Sequence, residues 1–228
     1  MATTKKAVAK KESTDLTTTL DITADVGAGM ETADKDSFAI PFLRVLQKLS
    51  PQCDEADSGY LPEAKAGMLY NTVSSRLYSG SDGLIFLPCA FQRRFIQWAS
   101  RSDGGGYKGE LLPEQVAELR ASGEISEEDG RLFLNGDLLS DTRSHFGLVV
   151  DEDGTVSQVL LALSSTQIKK SRQLMSMLSS ARVKGPNGMV TPPTWMNQIR
   201  ITTVLESNDQ GSWYGVRFTA EGFVESRD

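Results

Sequence analysis

Two adjacent arginines among aromatic side chains, followed by three glycines, mark FQRRFIQWASRSDGGGYKGE (residues 91–110) as the stretch best equipped for chemistry. Side chains alternate in an extended strand, so Phe91, Arg93 and Phe95 share one side and Arg94, Ile96 and Trp98 the other. One face must enter a core; the other then displays a cation beside aromatic rings. Rings stack on unpaired bases, and guanidinium groups meet phosphates or ring faces, which is the chemistry that single-stranded nucleic acid needs. Tyr107 and Lys108, just after the glycines, could close over such a strand as a mobile flap. A second set joins Lys169, Lys170 and Arg172 of STQIKKSR to Trp213 and Tyr214, beside Arg217, of GSWYGVR. The competing reading is that the rings are core and the arginines snorkel past them to water.

Other chemistries fail on their own requirements. Gly104, Gly106 and Gly109 spell G-x-G-x-x-G, but a dinucleotide site needs that motif to open a helix whose N-terminus holds the pyrophosphate. Here ELLPEQ comes after the motif, and Pro113 delays the helix beyond reach. No Lys-Ser or Lys-Thr follows the glycines, so a phosphate loop of the Walker type fails as well. His145 is the sole histidine and neither Cys53 nor Cys89 has a second ligand nearby, which removes a zinc site of the Cys/His type. No serine stands in a nucleophile elbow. The expectation is a protein without catalytic residues or cofactor.

Charge along the chain bears on how a scaffold could hold these residues. The 228-residue chain carries a formal charge of −6, which argues against coating duplex DNA by bulk positive charge. That total hides a division. Residues 60–109 are net +3, residues 110–153 net −9 and residues 164–217 net +5. If the two basic blocks meet in the fold, an acidic protein can still own a positive groove. The two cysteines read as reduced thiols. No apolar run is long enough to span a membrane, and the N-terminus lacks the apolar stretch of a secretory signal.

Residues 1–36, rich in Ala, Thr, Lys and Asp, read as a flexible arm. Phe42, Val45, Leu46 and Leu49 are spaced as one face of a short amphipathic helix. From residue 67 strand patterns dominate: GMLYNTVSSRLY, GLIFLPCAFQRRFIQWAS, SHFGLVV, TVSQVLLALS, and a last hairpin of QIRITTVLES and SWYGVRFTA around NDQG. PEQVAELRASG reads as a helix starting at Pro113. STQIKKSRQLMSMLSSA reads as the best helix, capped by Ser164 or Ser165, with Ile168, Met175 and Leu178 on one face. The fold class is α+β, mainly antiparallel β, and hairpin-joined strands suit a closed or partly closed small barrel better than a doubly wound sheet. Residues 37–228 form a single domain, with an acidic insertion at about 110–142.

With AIPFLRVLQKLSP, AGMLYNTVSSRLY, RRFIQWASRSDGGGYKGE, LSSTQIKKSRQLMSML and SNDQGSWYGVRF in this order, the chain resembles a tailed-bacteriophage family of single-stranded-DNA-binding proteins. The likeness covers residues 38 to 219 and lies in overall pattern. It implies an OB-like, partly closed barrel with one long helix before the last hairpin. It also implies sequence-independent binding of single-stranded DNA in phage replication or recombination. The strand-binding face would hold Arg93, Arg94, Phe95, Trp98, Tyr107, Lys108, Lys169, Lys170, Arg172, Trp213 and Tyr214. Expected partners are single-stranded DNA and replication proteins, in the host cytoplasm, with a homo-oligomer left open and no membrane. The strongly acidic tail that many such proteins use for recruitment is missing from AEGFVESRD, so tail-mediated recruitment is in doubt. The alternative is a non-enzymatic phage structural or host-interaction protein that binds a protein partner through the acidic block and the FLRVLQKLS segment.

Overall fold

The computed structural model of the chain describes residues 28–100, 102, 104–209 and 211–224. Most of the expected N-terminal arm, including its basic tip, therefore lies outside the described residues. The chain divides into two units, residues 1–39 and 40–228. In the described part of the first, a 3-10 turn, Lys35–Ser37, is capped by the Asp34 carboxylate, which accepts from the N–H groups of Asp36 and Ser37.

The second unit opens with three short strands, β1 (Leu43–Val45), β2 (Leu69–Asn71) and β3 (Leu77–Tyr78), which form an antiparallel sheet in that order. Then come β4 (Leu84–Trp98), β5 (Tyr107–Leu111), helix α1 (Pro113–Ala121), β6 (Ile125–Glu128), β7 (Arg131–Leu134), β8 (Asp137–Val150) and β9 (Val156–Ser164). Helix α2 (Ile168–Ser180) leads into a small hairpin, β10 (Val183–Gly185) and β11 (Gly188–Val190). The final long hairpin is β12 (Asn197–Asn208) and β13 (Gly211–Phe223).

The spine is an antiparallel ribbon of β4 and β8, paired from Ile85↔Val150 to Trp98↔Leu138. At one end β12 adds to β4 through Leu84–Phe86, β13 adds to β12, and β9 adds to β8. At the other end β5 adds to β4, while β7 and then β6 add to β8. The ribbon shifts register between Pro88 and Ala90. Proline has no N–H for a ladder and belongs at such an irregularity. Gly147 sits opposite Pro88, where an added Cβ would stand 2.4 Å from both the Phe86 ring and the Leu87 carbonyl oxygen. Only glycine lets the two strands close there.

Each end has its own core. Phe86, Val149, Leu161, Leu163, Ile199, Ile201 and Val216 come from five strands, and α2 lays Leu174 and Leu178 against them. At the other end Phe95, Val116, Leu134 and Leu139 make a smaller cluster under α1. A third, of Leu46, Ala64 and Tyr70, lies beneath the loop after β1.

Several expectations change. The sheets are mainly antiparallel as the patterns imply, but they do not close into a barrel. Among the described residues β9 and β13 are not paired, and β1 touches both. It meets β9 by one parallel bridge, Phe42↔Leu160. Toward β13, Gln47 Nε2 donates to the Tyr214 carbonyl at 2.9 Å while the Tyr214 N–H donates to Gln47 Oε1 at 2.8 Å.

The helix expected from Phe42 to Leu49 is β1 and a turn, and Leu49 is 95% exposed. Main-chain pairing decides this: the Leu46 N–H donates to Met68 O and the Gly67 N–H to Leu46 O, bonds that a helix would forgo. Helix α2 begins after a 3-10 turn, Ser165–Gln167, and neither Ser164 nor Ser165 caps it through its side chain. Its buried stripe is Ser171, Leu174 and Leu178 rather than Ile168, Met175 and Leu178. Within the acidic block, α1 and the β6/β7 hairpin pack around Phe95 as a second lobe.

Candidate nucleic-acid interface

Alternation gives the β4/β8 ribbon two chemically different faces. Gln92, Ile96 and Trp98 of β4 fall on one, with Ser140, Thr142, Ser144 and Phe146 of β8 and Leu160, Ala162 and Ser164 of β9. These residues line a groove of about 960 Å³ that runs toward the unpaired seam between β9 and β13. Its floor is small and hydroxyl-rich: Ser140 pairs with Ile96, Ser144 with Gln92, and Thr142 with Ser164 across the strands.

Aromatic groups stand at the rim. Trp98 and Tyr107, paired across β4 and β5 at a register shift, meet edge to face with centroids 6.3 Å apart. They stay 42% and 61% exposed, so ring surface remains free for a ligand. From the other side come Phe42, with the Arg44 guanidinium 5.5 Å above its ring, and Tyr214. Tyr214 is held against Gly67, whose φ is +91° and whose added Cβ would come within 2.7 Å of the ring. Arg44 and Glu110 are the charged side chains of the lining.

The glycine run serves β5. Gly104, Gly105 and Gly106 have φ of +88°, +66° and +111°, left-handed values that suit glycine, and the next element is a strand. Tyr107 and Lys108 thus belong to β5, and the expected flap is a paired edge.

The structure separates the residues expected to act together. Trp98, Tyr107 and Tyr214 meet at the groove. Arg94 alternates onto the groove side, but its Nη1 donates to the Arg93 carbonyl at 2.9 Å and its Nε lies 3.6 Å from Glu110. Arg93 takes the opposite face, where Nε and Nη2 donate to the two oxygens of Asp141 at 3.0 and 2.8 Å. Its guanidinium covers Phe95, which is core at 6% exposure and unavailable for stacking. Lys108 donates to Asp137 at 2.7 Å, and Gln97 to the same oxygen at 2.6 Å; these bonds hold that carboxyl below its usual range. Lys170 reaches Glu206 at 2.7 Å, and Trp213 Nε1 donates to the same carboxylate at 3.2 Å. Burial pushes Glu206 up, but the bonds from Lys170, Gln167 and Trp213 outweigh it and keep the carboxyl low. Lys169 and Arg172 lie exposed on α2 and do not line the groove.

His145, 1% exposed, bonds Ser171 Oγ through Nε2 at 2.8 Å. Burial, aided by the neighbouring Arg143, lowers its pKa from 6.5 to about 4, so it is a neutral core group at neutral pH.

Phe42, Arg44, Gln47, Gln92, Phe146 and the hydroxyl floor were not anticipated. One signal for them exists in the sequence. In SDTRSHF, Ser140, Thr142, Ser144 and Phe146 recur at every second position, a strand face too polar for a core.

Among the described residues no helix is long and apolar enough to cross a membrane. No curated protein and no solved structure matches the chain. One family model does match, over residues 9–228, nearly the whole length. By that match the chain belongs to the Pam3 phage gp34-like protein family.

Proposed function

We propose that this phage protein binds single-stranded DNA without sequence preference and without catalysis, in the groove on the outer face of β4, β8 and β9. The observation that carries the reading is the pair of exposed rings, Trp98 and Tyr107, at the rim of a hydroxyl-floored groove. Each stacked base contributes about 1–3 kcal/mol and any base can stack, so rings at a rim favour sequence-independent binding. The strand arrangement supports the same reading. β9, β8, β4, β12 and β13 lie side by side in that order, and α2 enters between the third and fourth of these in chain order. We read that order as an OB-like arrangement left open at one seam, whose second and third strands would carry the ligand face. Arg44, and Arg94 at the edge, would meet phosphates.

The test is fluorescence anisotropy of labelled oligo-dT with the full protein, at low and raised salt. Binding that weakens with salt and resists duplex competitor is expected. Absence of binding at low salt overturns the proposal.

A second reading, a protein that docks on a phage or host partner, draws on the acidic lobe. That lobe has a core of its own and exposes Glu114, Glu118, Glu127 and Glu128. Co-purification with a partner that survives loss of oligonucleotide binding would favour it.

A further inference from the structure

The opposite face of the same ribbon holds a cluster that the groove does not use. Arg93 and Arg143 stand directly across from one another on β4 and β8. Like charges so placed repel, and the arrangement calls for an anion. Asp141 supplies one charge, but Arg93 takes both of its oxygens. Arg143 Nη2 remains 3.8 Å from Asp141, its side chain is 12% exposed, and its Nε is buried with no hydrogen-bond partner among the described residues. A buried guanidinium nitrogen without an acceptor is costly and rare.

A third arginine stands on α2, next to the residue that ties that helix to β8. Arg172 is exposed, pairs with no described carboxylate, and follows Ser171, whose hydroxyl is tied to His145 two residues along β8 from Arg143. Burial lowers the Arg143 pKa; Asp141 counters this, while Arg93 and Arg172 add to it. Glu114 acts on Arg93 from α1, and His145 is neutral and adds no charge. Arg93 and Arg143 thus share one carboxylate, and the charge of Arg172 bears on Arg143 with no acid of its own among the described ion pairs.

We infer that Arg93, Arg143 and Arg172 form a receptor for a phosphate-class oxyanion, on the ribbon face opposite the groove. The planar fork of arginine matches the oxygens of a phosphate, and a tetrahedral anion offers acceptors to several forks at once. The buried Arg143 supplies the base of the site and Arg172 its outer wall. Asp141 orients Arg93. This site goes beyond the groove reading and does not depend on it.

The test is thermal unfolding of the full chain in inorganic phosphate and in chloride at matched ionic strength. A saturable rise in Tm with phosphate alone is expected, because a ligand that binds only the folded state stabilises it. Arg172→Ala removes an exposed side chain, leaves the core intact, and should weaken the phosphate response by about tenfold through loss of a charge-assisted hydrogen bond. Arg143→Lys keeps the charge but loses the fork and should also weaken it. Equal Tm in the two salts, or both variants responding like the wild type, overturns the inference. Oligo-dT titration of Arg172→Ala then separates the sources. Weakened strand binding assigns the site to a backbone phosphodiester; unchanged strand binding, with the phosphate response reduced, assigns it to a free phosphate.

Discussion

The two faces of the β4/β8 ribbon are built from the same strands and divide their chemistry sharply. The face that carries Arg93 and Phe95 has its arginine bound to Asp141 and its phenylalanine buried under α1. The face that carries Trp98, floored by Ser140, Thr142 and Ser144, keeps Trp98 and Tyr107 in the open. A charge or a ring near a site in sequence is thus no measure of its availability. Availability turns on whether a distant segment supplies a counter-ion or a cover.

Substitutions can test this contrast between the faces. The largest effect should come from Phe86→Ala, which empties the core shared by β4, β8 and β12. A loss of about 3–5 kcal/mol in urea unfolding is expected, and both faces should fail together. Next comes acid. His145 titrates at about 4 in the folded chain against 6.5 for an ordinary histidine. Below pH 6.5 the unfolded chain takes up a proton that the folded chain refuses, so stability falls from pH 6.5 down to about 4 and is unaffected above. The full drop is about 3 kcal/mol, and His145→Gln should flatten that part of the pH profile.

Ring removal addresses the groove face alone. Trp98→Ala and Tyr107→Ala should each weaken oligo-dT binding by about 1–3 kcal/mol while leaving Tm nearly unchanged. A variant that binds as well as the wild type removes that ring from the site. The smallest effect is on salt dependence. Arg44→Ala should reduce the slope of log affinity against log salt by about 0.7, the share of one phosphate contact on a single strand. A slope unchanged from the wild type would remove Arg44 from phosphate contact.

Much of the architecture is legible in the sequence because it is local. The long strand from Leu84 to Trp98, the helix starting at Pro113 and the last hairpin all appear as patterned. Phe42 to Leu49 misled because apolar residues at helical spacing also occur in a short strand and its turn. There, pairing with β2 outweighs the weak preference of a single helical turn. The β6/β7 hairpin passed unnoticed since its strands are four residues each and β6 ends in two acids, Glu127 and Glu128. The site was legible only in part: Trp98, Tyr107 and Tyr214 meet at the groove, but Phe42 and Arg44 reach it from far upstream.

Which residues share a strand face was settled by the order of residues alone, since alternation is a property of backbone geometry. The same order made Gly104 to Gly106 a turn rather than the opening of a helix. Tertiary packing, in contrast, chose which face is covered and which cations are spent. Arg93 meets its carboxylate 48 residues away and Lys108 meets its own at 29. Such pairings depend on strand register and lobe packing, which no local pattern encodes.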